Sequence, residues 1–144
     1  MEKKVSIELN SVDLIKYALF KDYNLPRELG INLTQERILM NVKNSINLSM
    51  VSISRSIGLE KGPFSKSVDK LEELDLLQRI RSSSDKRLVH LSLTEKGQFL
   101  ADEVEKSMES HFSEKIKMLS TKELIAFYGS LNILKETAKI LISK

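Results

Sequence analysis

The sequence predicts a mainly α-helical fold with one two-stranded β-hairpin, and three observations support this. Helix-forming residues dominate the 144-residue chain, whereas glycine (5) and proline (2) are scarce. Apolar residues recur at three- and four-residue steps through most of the chain, which is the period of an amphipathic helix. Only residues 77–93 show the two-residue alternation of strands, with a Ser-rich turn at 82–85. The predicted order is four helices, the hairpin and two more helices.

The four predicted helices before the hairpin are short, and sequence signals mark where most of them begin. The first covers residues 7–23. Thr34 is predicted to cap the second and Ser49 the third, since a hydroxyl oxygen accepts hydrogen bonds from the free amides of a first turn. Glu36 is favourably placed near the amino end of the second helix. Pro63 suits the first position of the fourth, because the N–H that proline lacks is unpaired there anyway.

The two predicted helices after the hairpin are long and amphipathic. Thr94 is predicted to cap the first of them, and Ser120 with Glu123 forms a capping box that opens the last. The helices at both ends of the chain carry more apolar surface than one small core can absorb, which is typical of a dimerisation layer.

The elements combine into one predicted domain with two parts. Helices two to four and the hairpin form a winged helix-turn-helix lobe over residues 33–93. Residues 1–30 and 94–144 form the helical dimerisation region. The hairpin is the wing of the lobe, and the fourth helix is its recognition helix.

Composition excludes several classes of protein. The chain has no cysteine, so disulfides, thiol chemistry and cysteine zinc sites are excluded. No apolar run approaches the roughly 18 residues of a membrane span, and the amino terminus does not resemble a secretory signal. A cytoplasmic protein without membrane contact is therefore expected. The net charge of only +3 means that nucleic-acid affinity has to come from the placement of charges.

The sequence predicts neither an enzyme nor a bound cofactor or metal. It lacks a Gly-rich phosphate loop, a Ser-His-Asp set in a recognisable frame and a metal-binding motif. His90 and His111 are far apart in the sequence. His111 and Glu114 share a helical face, and we interpret both as exposed to solvent.

Basic residues concentrate on the recognition helix and the wing, which favours DNA binding. The recognition helix would enter the major groove, and the wing would insert Arg87 into the adjacent minor groove. Arg55 is a candidate phosphate contact, and Asp85 would orient an arginine, since its own charge opposes phosphate. The candidate DNA-contacting residues are Arg55, Lys61, Ser65, Lys66, Ser67, Lys70, Arg79, Arg81, Lys86 and Arg87.

Each of these assignments has a simpler alternative. The lysines of the recognition helix could form an ordinary solvated face, and Ser65 and Ser67 could be surface serines. Arg79 and Arg81 alternate along one strand and could serve only to support the wing.

The segment Ser65–Gly97, SKSVDKLEELDLLQRIRSSSDKRLVHLSLTEKG, resembles the MarR family of bacterial and archaeal transcription regulators. The resemblance rests on the recognition helix, the Asp85-Lys86-Arg87 wing and the Leu93-Thr94-Glu95-Lys96-Gly97 junction, in this order. It extends over nearly the whole chain and implies a ligand-responsive repressor that binds a pseudo-palindromic operator as a homodimer.

The chain departs from the family pattern at two places. Asp75 stands where the family often has glycine, and aspartate tolerates the left-handed conformation of such a turn better than most residues. Ser65-Lys66 replaces the usual Thr-Arg pair, and lysine cannot make the forked guanine contact of arginine.

The resemblance also implies a small apolar or aromatic effector. Tyr17, Phe20 and Tyr23 of the first helix are the candidate contacts, although aromatic residues on an amphipathic face more often pack in a core. The absence of cysteine excludes the peroxide-sensing form of the family mechanism.

Two other classes of function stay open. A winged-helix module that binds protein would have its basic face interrupted by acids, as Asp69 and Asp75 do here. A small-ligand binding protein could keep the fold without binding DNA at all.

Overall fold

A computed structural model of the chain describes residues 1–45 and 49–143. The described residues form seven α-helices and one antiparallel β-hairpin. In chain order the elements are α1 (Glu2–Glu8), α2 (Asn10–Phe20), a 3₁₀ turn (Arg27–Leu29), α3 (Leu33–Asn44), α4 (Met50–Ile57), α5 (Lys61–Glu73), β1 (Leu77–Arg81), β2 (Val89–Leu93), α6 (Glu95–Ile116) and α7 (Thr121–Ser143). The predicted mainly helical fold with a two-stranded wing is confirmed.

The chain divides into two compact units. One consists of Asn24–Met108 and is called the winged-helix lobe below. The other combines Met1–Tyr23 with Glu109–Lys144 and is called the terminal unit. The predicted limits of the lobe at residues 33 and 93 stay a prediction.

The winged-helix lobe contains its own hydrophobic core. Its helices contribute apolar residues at helical spacing, as Phe64, Val68 and Leu71 of α5 illustrate. The hairpin contributes Leu77 and Leu91, one from each strand. The cluster of buried residues consists of Ile38, Leu39, Val42, Ile53, Ile57, Phe64, Val68, Leu71, Leu76, Leu77 and Leu91.

A tight junction joins the recognition helix, the hairpin and α6. Asp75 adopts the left-handed conformation with φ 62°, as expected from its place after the recognition helix. The Thr94 hydroxyl donates to the Asp75 carbonyl oxygen at 2.6 Å and accepts from the Gly97 amide at 2.9 Å. A Cβ atom at Gly97 would lie 2.0 Å from the Leu76 carbonyl oxygen, so only glycine fits there.

Three predicted helix starts are confirmed. The Ser49 hydroxyl accepts from the Ser52 amide at 3.2 Å at the start of α4. Thr94 caps α6 through the Gly97 amide. At the start of α7, the Ser120 amide donates to the Glu123 carboxylate at 2.8 Å, and the Glu123 amide donates to the Ser120 hydroxyl at 3.1 Å. This is the predicted capping box.

The predicted starts of the second and fourth helices are wrong by about two residues. Asn32, not Thr34, caps α3, in a reciprocal capping box with Gln35. Helix α5 begins at Lys61, so Pro63 occupies the third position and not the first. Proline is tolerated there because first-turn amides lack partners within the helix.

The first predicted helix is longer than expected at its amino end. It was predicted over residues 7–23, whereas α1 already begins at Glu2 and α2 ends at Phe20. Leu9 joins the two helices with right-handed helical dihedral angles.

The terminal unit contrasts with the lobe in its burial. None of its described residues is buried, and many large apolar side chains are exposed. The most exposed apolar residues of α7 are Ile125, Tyr128, Ile133, Ile140, Leu141 and Ile142. Within the described ranges of the chain, no helix is both long and apolar enough to cross a membrane.

Candidate nucleic-acid interface

A cleft of about 570 Å³ lies between α4, the start of α5 and the wing. Four of the residues predicted to contact DNA line it together: Arg55, Lys61, Ser65 and Arg87. They come from three separate elements, so only the fold brings them to one surface. The other lining residues are Ser49, Met50, Val51, Ser54, Leu59, Phe64, Leu88 and Val89.

The turn between α4 and α5 places Arg55 and Lys61 beside each other on this cleft. Gly58 ends α4 in the left-handed conformation with φ 72°. The Ser54 hydroxyl donates to the Leu59 carbonyl oxygen at 2.8 Å and so braces the turn. Ile53 is buried on the opposite face of α4, which leaves Arg55 exposed.

The wing presents Arg87 beside Asp85. The Asp85 carboxylate accepts from the Arg87 amide at 3.0 Å and from its Nε at 3.2 Å. These hydrogen bonds, led by the backbone amide, hold the pKa of Asp85 below its ordinary value, so the carboxylate is ionised at neutral pH. The Arg87 side chain is 91% exposed. Its guanidinium is thus ion-paired with Asp85 along one edge, while the side chain as a whole stays accessible.

The other cations of the wing lie near its tip. The Arg81 guanidinium donates to the Lys86 carbonyl oxygen at 2.6 Å across the turn, and the Lys86 side chain is exposed. The tip of the wing therefore carries three positive side chains, those of Arg81, Lys86 and Arg87, against the single carboxylate of Asp85.

Three predicted DNA-contacting residues of α5 lie outside the lining of the cleft. Lys66 and Lys70 are exposed, and Ser67 is half-buried. Lys70 forms an ion pair with Glu73 one turn along the helix, at 3.5 Å. These residues belong to the recognition helix but not to the group that the cleft brings together.

Arg79 differs from the other predicted DNA-contacting residues because two carboxylates engage it. Its Nη1 forms an ion pair with Asp69 at 2.8 Å and a second one with Glu72. Both acids belong to α5, so Arg79 ties the first strand of the wing to the recognition helix. The sequence predicted that Arg79 could support the wing, but it predicted no partner for its side chain.

The three candidate effector contacts, Tyr17 and Phe20 of α2 and Tyr23 just after it, differ in their ring contacts. Phe20 stacks edge-to-face on Phe112 of α6 with ring centroids 5.1 Å apart, and Tyr23 lies 5.3 Å from the His111 ring. Tyr17 is 66% exposed and takes no part in these ring contacts. Phe20 and Tyr23 therefore form an aromatic group with α6.

His111 is not the exposed residue that the sequence suggested. It is half-buried, and its Nε2 lies 2.8 Å from the Leu19 carbonyl oxygen. Asp22 and Lys115 form an ion pair nearby at 2.7 Å, and Lys115 holds the pKa of Asp22 below its ordinary value. Among the described residues, no group of three or more histidine or acidic side chains is arranged to hold a metal ion.

The structure also contains polar interactions in the lobe that the sequence did not indicate. Glu36 of α3 is buried, and burial raises its pKa to about 7 despite the opposing charge of Arg37. Lys43 of α3 forms ion pairs with Asp102 and Glu105 of α6, each at 2.8 Å. No local pattern could reveal the ion pairs of Lys43, since their partners are about sixty residues away in the sequence.

A model of a known protein family matches the central part of the lobe. The family model described as MarR family matches residues 31–89, which include α3, α4, α5 and the wing as far as the start of β2. This range contains all ten candidate DNA-contacting residues.

Solved structures share the fold over nearly the full chain. A MarR family protein from Bacillus stearothermophilus is 22% identical, with 96% of this chain and 98% of that chain covered and a TM-score of 0.67. FabT from Streptococcus pneumoniae, in complex with DNA, is 20% identical over 97% and 96%, with a TM-score of 0.62. The PcaV transcriptional regulator from Streptomyces coelicolor, in complex with its natural ligand, is 17% identical over 90% and 90%, with a TM-score of 0.59.

At these identities the structural matches show the fold, and the family model adds the match of the lobe itself. Both agree with the order of elements and with the resemblance carried by the recognition helix and the wing. This chain therefore shares the winged-helix fold of MarR regulators of known structure, and its residues 31–89 match the MarR family model.

Proposed function

We propose that this chain is a sequence-specific DNA-binding transcription regulator that acts as a ligand-responsive repressor and binds a pseudo-palindromic operator as a homodimer. The observation that carries the proposal is the cleft shared by Arg55, Lys61, Ser65 and Arg87. Three elements that are separate in the sequence direct cationic and hydroxyl side chains to one surface. Such a surface suits the phosphate backbone and base edges of duplex DNA.

The roles within this surface follow from position and charge. Helix α5 would enter the major groove, with Ser65, Lys66, Ser67 and Lys70 near base edges or phosphates. Arg87 would enter the minor groove, where a narrow groove concentrates negative potential. Asp85 would orient the Arg87 guanidinium, a role that agrees with their hydrogen bonds.

The remaining cations of this surface would bind the phosphate backbone. Arg55 and Lys61 line the cleft beside the first turn of α5, and Arg81 and Lys86 lie at the wing. Contacts of this kind fix the register of a protein on DNA without reading its sequence.

The proposed homodimer accounts for the exposed apolar surface of the terminal unit. A helical unit without buried residues gains little from hydrophobic burial within its own chain. A second copy would cover the apolar faces of α1, α2 and α7 under two-fold symmetry. The same symmetry would present two recognition helices to successive major grooves, which matches a pseudo-palindromic site.

The proposed effector is a small apolar or aromatic molecule. Support comes from the aromatic group of Phe20, Tyr23 and Phe112, which offers ring faces and edges at one place. Tyr17 is exposed and would be available as a further contact. The structure of PcaV in complex with its natural ligand shows that a protein of this fold can hold a ligand.

The direct test measures operator affinity after loss of the most exposed wing cation. A duplex is first selected from a random pool with the wild-type protein, and affinities are then measured by fluorescence anisotropy. Arg87→Ala should weaken binding by about tenfold or more, the effect of one good contact to DNA. The matched control is Arg27→Ala, an exposed arginine of the same lobe outside the cleft, which should bind as the wild type does.

Two checks make the result decisive. Both variants should have the wild-type circular dichroism spectrum and sedimentation behaviour, which excludes misfolding. Equal affinity of wild type and Arg87→Ala would remove the wing from the mechanism. Failure of the random pool to yield any bound duplex would overturn DNA binding and favour a winged-helix module that binds protein.

A further inference from the structure

The recognition helix is electrostatically unusual for an element that enters a DNA groove. Helix α5 carries three lysines and three carboxylates, so its side chains sum to no net charge. The carboxylates Asp69, Glu72 and Glu73 all lie in its second half. Two of them lie close to its carboxyl end, where the helix dipole is itself negative.

Arg79 compensates two of these three acids. Its guanidinium contacts both Asp69, at 2.8 Å, and Glu72. Asp69 is 60% exposed and Glu72 34%, whereas Arg79 is only 30% exposed. The arginine is thus the least accessible member of the group, and its partner Asp69 is the most accessible.

Strand geometry explains why Arg79 faces the helix. Leu77, Arg79 and Arg81 share one face of β1, because side chains alternate along a strand. Leu77, the first residue of β1, is buried in the lobe core, so this face of the strand points toward the core at that end. Arg79, two residues later, meets the side of α5, and Arg81 reaches the exposed tip.

The acids matter because of their place on the helix. Asp69 follows Ser65 by one helical turn on the same side of α5, and Ser65 lines the proposed DNA cleft. An uncompensated carboxylate at that point would face the negatively charged duplex. Like charges brought together at an interface oppose binding strongly.

We propose that Arg79 is a positioning residue that neutralises Asp69 and Glu72, and that it does not itself bind phosphate. It allows a helix with a balanced charge to enter the major groove. This inference rests on the proposed DNA binding and changes the role of Arg79 within it.

A set of four proteins tests the inference on one selected duplex. They are the wild type, Arg79→Ala, the double variant Asp69→Asn/Glu72→Gln, and the triple variant that combines all three changes. Arg79→Ala should weaken binding by about tenfold or more, because two carboxylates are left without a cation. The triple variant lacks the two ion pairs of Arg79, but it also lacks the two acids that Arg79 compensates. Its affinity for the duplex should therefore return to within about threefold of the wild type.

Restoration of affinity separates charge compensation from the other possible roles of Arg79. A phosphate contact or a mechanical tie between β1 and α5 is lost equally in Arg79→Ala and in the triple variant. Thermal unfolding of the four proteins, compared without DNA, reports the loss of that tie. The double variant should bind at least as tightly as the wild type, since it keeps the arginine and loses only negative charge.

The outcomes are distinct. A triple variant that binds as weakly as Arg79→Ala overturns the inference and leaves DNA binding by the cleft intact. Wild-type affinity of Arg79→Ala also overturns it. Absence of duplex binding by the wild type overturns the proposed function, and this inference falls with it.

Discussion

The winged-helix lobe and the terminal unit differ in how much of their apolar surface is buried within the chain. In the described part of the chain, every buried hydrophobic residue lies between Ile38 and Val104, all within the lobe. The terminal unit has exposed apolar residues along three helices and no buried one. The lobe is therefore stabilised by its own side chains, whereas the apolar side chains described in the terminal unit stay largely exposed.

Under the proposed function, the lobe would provide a rigid reading surface and the terminal unit a surface for association. The cleft residues are placed by capped helices, a braced turn and a paired wing, all supported by the core of the lobe. A site built on packed elements holds its side chains more accurately than one built on loops. In the proposed homodimer, a second copy would cover the apolar faces of the terminal helices, and these faces need less precise placement than the cleft residues.

The largest effect is expected from a core residue of the lobe. Leu71 of α5 is fully buried, so Leu71→Ala should reduce the free energy of unfolding by on the order of 4 kcal/mol through lost burial and the cavity left behind. Urea unfolding followed by circular dichroism, at one fixed protein concentration, measures it. A loss below about 1 kcal/mol would show that the lobe is not the stable part of the chain.

A smaller but still large effect is expected at the junction of the lobe. The Cβ atom of Gly97→Ala would lie 2.0 Å from the Leu76 carbonyl oxygen, and relief of this clash should cost about 3 kcal/mol. The matched control is Gly62→Ala, where a Cβ atom meets nothing within 4 Å. Alanine is the better helix former there, so the control should leave stability unchanged or slightly higher. Equal unfolding midpoints for the two variants would contradict the packing described at Gly97.

The third effect depends on pH and arises from Glu36. Burial raises its pKa from 4.5 to about 7, so the folded chain keeps a proton that the unfolded chain has released. Stability should therefore fall as pH rises between these values and level off above the higher one. Glu36→Gln should remove this fall and add on the order of 2 kcal/mol at a pH above 7.

The exposed Glu28 of the same lobe provides the control for this measurement. Glu28→Gln should follow the wild-type pH profile of the unfolding free energy. If Glu36→Gln and Glu28→Gln gave the same profile, burial of the Glu36 carboxyl would not be the source of the pH dependence.

The smallest effect on a single chain is expected in the terminal unit. Leu141 of α7 is 71% exposed, so Leu141→Ala should change intramolecular stability by less than about 0.5 kcal/mol. Its effect should instead fall on association, because a side chain buried in a dimer contributes about 2 kcal/mol. Sedimentation velocity over a range of concentrations would show a weaker dimer. A monomeric wild type, or an unchanged dimer in the variant, would argue against the proposed role of α7.

Much of the lobe could be predicted from the sequence because its signals are local. The hairpin, the Ser49 and Thr94 caps and the buried stripe of α5 each depend on residues a few positions apart. The wrong start of the second predicted helix arose where two neighbouring residues suit the same role. Asn32 and Thr34 both suit an N-cap, and the reciprocal hydrogen bonds of Gln35 favour Asn32.

The parts that the sequence did not predict depend on contacts between distant segments. The burial of Glu36, the ion pairs of Lys43 and the engagement of Arg79 by α5 follow only from how the elements pack. Charge and element alone predicted the cationic candidates. They could not separate Arg87, whose exposed side chain pairs with one acid, from Arg79, which two acids hold.

The salt dependence of duplex binding tests the central claim that the cationic cleft binds the DNA backbone. Each phosphate that the protein neutralises releases counterions, so the logarithm of affinity should fall linearly and steeply with the logarithm of salt concentration. The slope for Arg55→Ala, which removes a proposed phosphate contact of the cleft, should be shallower by about 1, and the slope for Arg27→Ala should equal that of the wild type. Binding that did not change with salt, or equal slopes for wild type and Arg55→Ala, would contradict this claim.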